Sequence, residues 1–336
     1  MSMGDLNEQW RLIARPDEEA SAEHFEVKQS EKPVPGENEV LVKNLYLFIP
    51  PSMRLWMNEK ESYFPAQQLG EVMMGITLGV VEESNSSDLE VGTYVNGMGG
   101  WQNWFVTQPD QLQPVSPHPD IPIETYRTVL DVQGLTAYQG ITEVCKPQTG
   151  ETLVVTAAAG SVGSLACQIG KIMGAKVIGI AGGSEKCDWL TSECGIDAAI
   201  DYKSENVSER LDQLVPEGID MIYENVGGPI MDSLLDRIND HARIALCGLI
   251  SSYNGGGVQS TASLNQIVIK TARIEGFLVR DYMHEYERVI PILQDWVLSN
   301  KLKYKVEVIE GGISATLGAM SNIFHGRNKG VQLVRF

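Results

Sequence analysis

The stretch TAAAGSVG, residues 156–163, follows the apolar run LVV at 153–155 and precedes a segment whose apolar residues recur at three- and four-residue spacing. That spacing predicts an amphipathic helix that faces a sheet. Gly160 lets a pyrophosphate approach the backbone, and Gly163 lets the helix pack closely on the strand. The N–H groups at the start of such a helix carry partial positive charge toward phosphates. The pattern therefore predicts a dinucleotide-binding turn.

Ala158 stands where the usual dinucleotide fingerprint has its first glycine. For this reason a tight strand-to-helix turn without a ligand stays open as an alternative.

The end of the next predicted strand, 176–181, bears on which dinucleotide binds. NAD sites usually place Asp or Glu there to hold the ribose 2′-hydroxyl. Here two glycines and Ser184 follow the strand, with Lys186 beyond. The absence of a carboxylate at this position favours NADP, since Glu185 fits better as a first-turn residue of the next helix. A solvated helix lysine is the alternative role for Lys186.

Two kinds of segment divide the chain. Short β-rich pieces separated by Pro, Gly, Asn and Ser clusters predict an antiparallel, barrel-like domain; they lie at 39–47, 75–82, 92–97 and 104–107. Strand-like runs that alternate with helix-length segments predict a doubly wound parallel sheet; they lie at 153–155, 176–181, 198–200, 219–223, 242–247 and 274–279. Residues 303–336 return to a strand–helix–strand pattern. We therefore assign 1–125 and 300–336 to one domain and 126–299 to the other.

Composition narrows the choice of partners. The 336 residues carry a formal charge of −18, with 44 acidic and 26 basic side chains, so a nucleic acid or an anionic membrane is repelled. Five cysteines without a Cys-x-x-Cys pair indicate reduced thiols. The opening MSMGDLNEQW resembles no signal peptide, so we expect a soluble, cytoplasmic protein. The five histidines show no metal-ligand spacing, and no metal site is predicted.

A series of motifs resembles the medium-chain dehydrogenase/reductase superfamily, and within it the zinc-independent branch of prostaglandin reductases, leukotriene dehydrogenases and bacterial curcumin reductases. In the first part these motifs are LYLFIPPSMRLWM (45–57), QLGEVMMG (68–75) and GWQ (100–102). In the second they are GLTAY (134–138), TAAAGSVG, AGGSEK (181–186), DYK (201–203), YENVGG (223–228), ALCGLISSYN (245–254) and EGFLV (275–279). The resemblance spans nearly the whole chain. It implies a GroES-like β-barrel-type catalytic domain plus a Rossmann α/β domain, in a homodimer.

The resemblance implies that NADPH reduces the carbon–carbon double bond of an α,β-unsaturated ketone or aldehyde. Lys186 and Tyr202 then hold the 2′-phosphate near Ser184, and the loop at 247–253 lies along the nicotinamide ribose. The cofactor contacts carried over from the family are Ala158, Gly160, Ser161, Val162, Gly163, Gly183, Ser184, Lys186, Tyr202, Asn225, Val226, Cys247, Gly248, Ile250, Tyr253, Phe277, Leu278 and Asn328.

The catalytic residue is predicted to be Tyr253. Hydride delivered to the β-carbon of an enone places negative charge on the carbonyl oxygen, and a preorganised donor stabilises that charge. Family members use a tyrosine hydroxyl or the nicotinamide ribose hydroxyl, and Tyr253 is the best match. Packing of this tyrosine on the glycine turn 255–257 is the alternative. Protonation of the α-carbon from solvent requires no further acid.

Three departures from the family leave the substrate open. Ser52 occupies the early loop where relatives often have a tyrosine, and Asp131 and Gln133 stand in place of a Gly-Met-Pro run. Near the C-terminus the frequent Gly-Lys pair is Gly330-Val331 here, although Lys329 lies one place earlier. Asp131 and Gln133 selecting a smaller or more polar acceptor is one hypothesis; a helix-start residue and a solvated glutamine are the simpler roles. A quinone reductase, an alcohol dehydrogenase and a non-catalytic NADPH-binding protein remain alternatives.

Overall fold

The computed structural model describes residues 6–60, 62, 64–255 and 262–336. The chain divides into two compact units. The first runs to Arg127 and includes Val306–Asn328 and Gln332–Phe336; the second is Thr128–Lys305 with Lys329–Val331.

The first unit is built mainly from antiparallel strands. Its elements are β1 (Leu6–Leu12), β2 (Phe25–Glu31), β3 (Val40–Phe48), α1 (Met53–Trp56), β4 (Ile76–Ser84), β5 (Tyr94–Gly97), β6 (Trp104–Thr107), β7 (Gln113–Val115), β14 (Val306–Ile309), α9 (Thr316–Phe324) and β15 (Val331–Arg335). A seven-stranded sheet has the order β14-β15-β3-β4-β5-β7, with β6 paired to β3, while β1 and β2 form a hairpin. Trp10, Trp56, Trp101 and Met73 lie in its core.

The second unit is a six-stranded parallel sheet of order β10-β9-β8-β11-β12-β13. Its elements are α2 (Val132–Gln139), β8 (Thr152–Thr156), α3 (Ser161–Ile172), β9 (Lys176–Ala181), α4 (Ser184–Ser192), β10 (Ala198–Asp201), α5 (Val207–Leu214), β11 (Ile219–Glu224), α6 (Gly228–Leu235), β12 (Ile238–Leu246), α7 (Asn265–Ile269), β13 (Arg273–Gly276) and α8 (Tyr286–Leu298). A π-helical segment, Gly140–Cys145, continues α2. The predicted fold class, an α/β protein with a parallel doubly wound sheet and a barrel-type domain, is confirmed.

Some predicted strand boundaries were wrong. The strand predicted from 92 begins at Tyr94, because Gly92 takes a φ of 91° that ends extended backbone before it. β12 begins four residues before the predicted start at 242. β13 ends at Gly276 rather than 279, because residues Val279–Glu285 turn into a 3-10 helix. Within the described residues, no helix is both long and apolar enough to cross a bilayer.

A buried arginine fastens the segment after β1 to α1. Arg54 is 1% exposed, and its guanidinium donates to the carbonyls of Glu18 (2.6 Å) and Pro16 and to Asn58 Oδ1 (2.6 Å). Burial lowers the pKa of Arg54, and a buried cation is tolerated when hydrogen bonds satisfy its donors.

We predict that Arg54→Met destabilises the protein by about 2–4 kcal/mol, because two carbonyls and an amide oxygen lose their donor. Urea unfolding measures this loss, and Arg54→Lys, which keeps the charge and one donor group, should lose less. An unchanged urea midpoint for Arg54→Met would contradict this role.

Candidate cofactor site

The turn between β8 and α3 has the shape that the sequence predicted. Ala157 has a φ of 47°, and its carbonyl accepts a hydrogen bond from Gly160 N at 2.9 Å. A Cβ on Gly163 would lie 2.3 Å from Ala157 O, so only glycine allows α3 to approach this turn so closely. Ala158 is fully buried and packs toward Gly179 of β9.

The start of α3 offers donors for a diphosphate. The first N–H groups of a helix have no intrahelical acceptor, and no side chain in the described part of the chain caps them here. The Ser161 hydroxyl is buried and has no hydrogen-bond partner among the described residues. A buried donor of this kind needs a partner, and phosphate oxygens at a helix N-terminus supply one. The residues present therefore fit a dinucleotide.

Asp201, the last residue of β10, shapes the turn that follows β9. Its carboxylate accepts hydrogen bonds from Gly183 N (2.7 Å), Lys203 N (3.0 Å) and Ser204 Oγ (2.8 Å). These bonds, led by that from Gly183, lower the pKa of Asp201. Gly183 adopts a φ of 97° that suits glycine. The Asp201 carboxylate therefore stabilises the backbone of the Gly182–Gly183 turn.

Three lysines surround this turn and the start of α4. Lys186 lies in the first turn of α4, and Lys203 Cε would lie 2.9 Å from a Cβ on Gly182. Lys329 forms an ion pair with Glu185, also in the first turn of α4, at 3.1 Å. Sequence reasoning assigned only Lys186 to the phosphate. The DYK motif (201–203) and the displaced Lys329 in the stretch GRNKG (326–330) were the signals for the other two.

Tyr202 and Ser184 belong to the same group. Tyr202, next to Lys203, would approach a Cβ on Gly182 to 2.8 Å and is 43% exposed. Ser184 is exposed at the first position of α4. The residues predicted for the 2′-phosphate therefore lie around one exposed turn.

The turn after β11 and the loop after β12 are joined by backbone hydrogen bonds. Ile250 N donates to Asn225 O (3.0 Å), and Ser251 N donates to Val226 O (3.1 Å). Gly248 N donates to the carbonyl of Glu224, the residue before Asn225, at 3.1 Å. The predicted contacts Asn225, Val226, Gly248 and Ile250 are thus held together.

Tyr253 folds back onto its own loop. Its Oη accepts a hydrogen bond from Leu249 N at 3.2 Å, which leaves the hydroxyl proton outside that bond. Burial raises the pKa of Tyr253, so the hydroxyl is protonated at neutral pH and is a donor. The alternative, packing on the glycine turn 255–257, falls in part on residues outside those described.

The remaining predicted contacts differ in how deeply they are buried. Val162 and Leu278 are half-buried, as is Cys247, whose pKa burial raises to about 11. Phe277 is 9% exposed and packs edge-on against Tyr223 at 6.1 Å between ring centroids. Asn328 belongs to the first unit, so its role as a contact stays a prediction.

The departures near α2 have structural roles of their own. Asp131 is the N-cap of α2, and its Oδ1 accepts from Val132 N at 2.7 Å, in line with the predicted helix-start residue. The solvated glutamine was wrong: Gln133 is 3% exposed in the first turn of α2. Ser52 is half-buried beside α1 and makes no side-chain cap there. Among the described residues, no group of three or more His, Cys, Asp or Glu could hold a metal ion.

Comparisons with known proteins identify the family of this chain. Family models described as "N-terminal domain of oxidoreductase" and "Zinc-binding dehydrogenase" match residues 8–115 and 161–295. The chain is 36% identical to NADPH-dependent curcumin reductase of Escherichia coli, over 98% of this chain and 96% of the relative. It is 39% identical to the NADP(+)-dependent 2-alkenal reductase of Nicotiana tabacum, over 89% and 88%. The crystal structure of CurA from Vibrio vulnificus in complex with NADPH has a TM-score of 0.92 and 35% identity, with 98% of each chain covered.

The chain belongs to the medium-chain dehydrogenase/reductase superfamily. Within it, the chain lies in the branch of curcumin reductases, 2-alkenal reductases and prostaglandin reductases, a family of NADPH-dependent double-bond reductases. The predicted family is therefore confirmed.

Replacing Gly163 tests the turn. We predict that Gly163→Ala destabilises the protein by roughly 1–3 kcal/mol, because the new methyl group meets a backbone carbonyl, and that it weakens NADPH binding, because the turn must move. Thermal unfolding and nicotinamide fluorescence titration measure the two effects.

Gly170→Ala is the matched control in the same helix, where the added Cβ would meet Leu153 Cδ2 at 2.5 Å, away from the turn. It should lose stability and keep its NADPH affinity. Equal affinity losses in the two variants would contradict a phosphate-binding role for the turn.

Proposed function

We propose that this protein reduces the carbon–carbon double bond of α,β-unsaturated ketones or aldehydes with NADPH. The observation that carries the proposal is the turn between β8 and α3 (residues 157–160, the phosphate turn), next to which the Ser161 hydroxyl has no partner among the described residues. Lysines near the end of β9, where an NAD site has an acid, add to it. Family membership supports the same activity. The strand ends of β8, β9, β10, β11 and β12 supply these residues from one edge of the sheet.

When bound, NADPH supplies the hydride that reduces the β-carbon. The helix start at Ser161 and the turn at Gly182–Gly183 orient its phosphates. Tyr253 donates a hydrogen bond from its neutral hydroxyl to the carbonyl oxygen, which stabilises the enolate charge that forms there. The α-carbon then takes a proton from solvent, which completes the addition of one hydride and one proton.

Tyr253→Phe removes the proposed donor. We predict a decrease of kcat by about 10²–10³-fold, the range for losing one oxyanion donor, while the NADPH dissociation constant stays within about threefold because the ring is kept. Ser252→Ala is the control, since its hydroxyl donates to Leu249 O at 2.8 Å in the same loop. Unchanged kcat in Tyr253→Phe would assign the donor role to the ribose hydroxyl instead.

Cofactor preference tests the lysines. We predict that Lys203→Met and Lys329→Met each weaken binding of NADPH and of 2′,5′-ADP by about two- to tenfold, because exposed charge pairs contribute modestly. NADH binding should not weaken. Isothermal titration with the three nucleotides measures this.

The matched control is Lys305→Met, because Lys305 pairs with Glu193 just beyond the last turn of α4 at 3.9 Å. It should bind all three nucleotides normally. Loss of NADH and NADPH affinity by the same factor in the Lys203 or Lys329 variant would contradict a 2′-phosphate role.

A panel of enones, enals, quinones and simple aldehydes decides between the alternatives. NADPH oxidation with a saturated product supports the proposal, whereas quinone turnover alone favours the quinone reductase. Tight NADPH binding with no turnover favours the non-catalytic protein.

The homodimer and the cytoplasmic location remain proposals. The former is supported by β13 at the sheet edge, near the exposed Val268 (78%) and Ile269 (60%).

A further inference from the structure

Glu224, the last residue of β11, is a buried carboxyl group with no role in the mechanism above. It is 0% exposed, and one of its oxygens, Oε1, accepts three hydrogen bonds. The donors are Thr156 Oγ1 (2.9 Å), Gly227 N (2.8 Å) and Val226 N. Burying an acid is costly unless such bonds compensate, so this arrangement calls for a structural or functional reason.

Thr156 closes the network on the side of the phosphate turn. Its Oγ1 accepts from Asn225 N at 2.8 Å, and Asn225 Nδ2 donates to Thr156 O at 2.7 Å. Thr156 is the last residue of β8, immediately before the turn that starts α3. One carboxyl oxygen therefore ties the phosphate turn to the turn that carries Asn225 and Val226.

The main chain of the same residues holds the loop of Tyr253. Cys247 N and Gly248 N both donate to Glu224 O, at 2.9 and 3.1 Å. Since Ile250 and Ser251 also bond to this turn, a displacement of the Glu224 side chain would shift the loop that carries the proposed donor. The network thus links the phosphate half of the site to its catalytic half.

The second oxygen of Glu224, Oε2, lets the charge of the carboxylate change without changing the hydrogen bonds at Oε1. Oε2 is buried and has no hydrogen-bond partner among the described residues, and burial raises the pKa of Glu224. A proton on Oε2 leaves all three bonds at Oε1 in place. A glutamine can reproduce this neutral form with its amide nitrogen at the Oε2 position.

We propose that Glu224 is a positioning residue that sets the nicotinamide half of the cofactor site, through Oε1 and the backbone of Asn225, Val226 and Gly227. The inference rests on the proposed function, because it takes these residues to be cofactor contacts. The positioning role requires an acceptor at Oε1 of residue 224 and does not require a negative charge there.

The central test is Thr156→Val, which keeps the shape of the side chain and removes both hydroxyl bonds. Losing such bonds in a buried network should reduce kcat with NADPH about tenfold, while 2′,5′-ADP, which lacks the nicotinamide, should bind within about twofold of the wild type. The ratio of NADPH to 2′,5′-ADP affinity, from isothermal titration, should fall. Thr152→Val is the matched control at the opposite end of β8, where it should leave both the ratio and kcat unchanged.

Substitutions at Glu224 test the acceptor directly. Glu224→Gln should keep kcat within about threefold, whereas Glu224→Ala, which leaves two N–H groups unpaired, should lose more than tenfold. Equal losses in both would show that the charge is required and would overturn the proposal. If the Thr156→Val variant unfolds at a lower temperature yet keeps the wild-type kcat and affinity ratio, the network has a structural role only.

The proposed function can fail separately. If the wild type turns over no enone or enal, the affinity ratio and the nicotinamide fluorescence of bound NADPH still report the position of the nicotinamide. A normal ratio and fluorescence in both Thr156→Val and Glu224→Ala would overturn the positioning role, whatever the substrate.

Discussion

The site depends on how backbone N–H groups are distributed at the carboxyl edge of a parallel sheet. The turns that leave this edge expose N–H groups, and some must stay unpaired to meet phosphates while the others need buried acceptors. Two acids at strand ends supply those acceptors. Asp201 on β10 accepts from Gly183, and Glu224 on β11 accepts from Val226 and Gly227. By contrast, no side chain among the residues that the structure describes caps the start of α3, which leaves it open to a ligand.

The position of Asp201 also reconciles an acid with a phosphorylated cofactor. An NAD site has its acid at the end of the second strand, here β9, where it repels a 2′-phosphate. In this chain the acid lies one strand further out, and its oxygens are occupied by Gly183 N, Lys203 N and Ser204 Oγ. Lys186, Lys203 and Lys329 lie around the same turn. Three lysines thus lie around the turn proposed to meet the 2′-phosphate, in a protein whose net charge is −18.

The sequence predicted the parallel strands well because their buried residues form continuous apolar runs. It missed the start of β12 because Asn239, Asp240 and His241 interrupt that run, and His241 takes a φ of 63°. Burial of Gln133 was missed because a polar side chain in a helix start is usually solvated. Lys203 and Lys329 could not be assigned from spacing. Lys203 approaches Gly182 because β10 pairs with β9. Lys329 reaches Glu185 from a segment 144 residues further along the chain. Glu224 lies in the YENVGG motif, but its proposed role depends on contacts that exist only because β8 and β11 are neighbouring strands.

Burial of the cysteines also affects how they react with the proposed acceptors. An α,β-unsaturated aldehyde alkylates a thiolate far faster than a thiol, and the thiolate fraction is set by the pKa. All five cysteines are free, and desolvation raises the pKa of Cys187 to about 11 and of Cys145 and Cys194 to about 12. At neutral pH these groups are almost wholly protonated. The thiols are therefore poor targets for the compounds that the site is proposed to reduce.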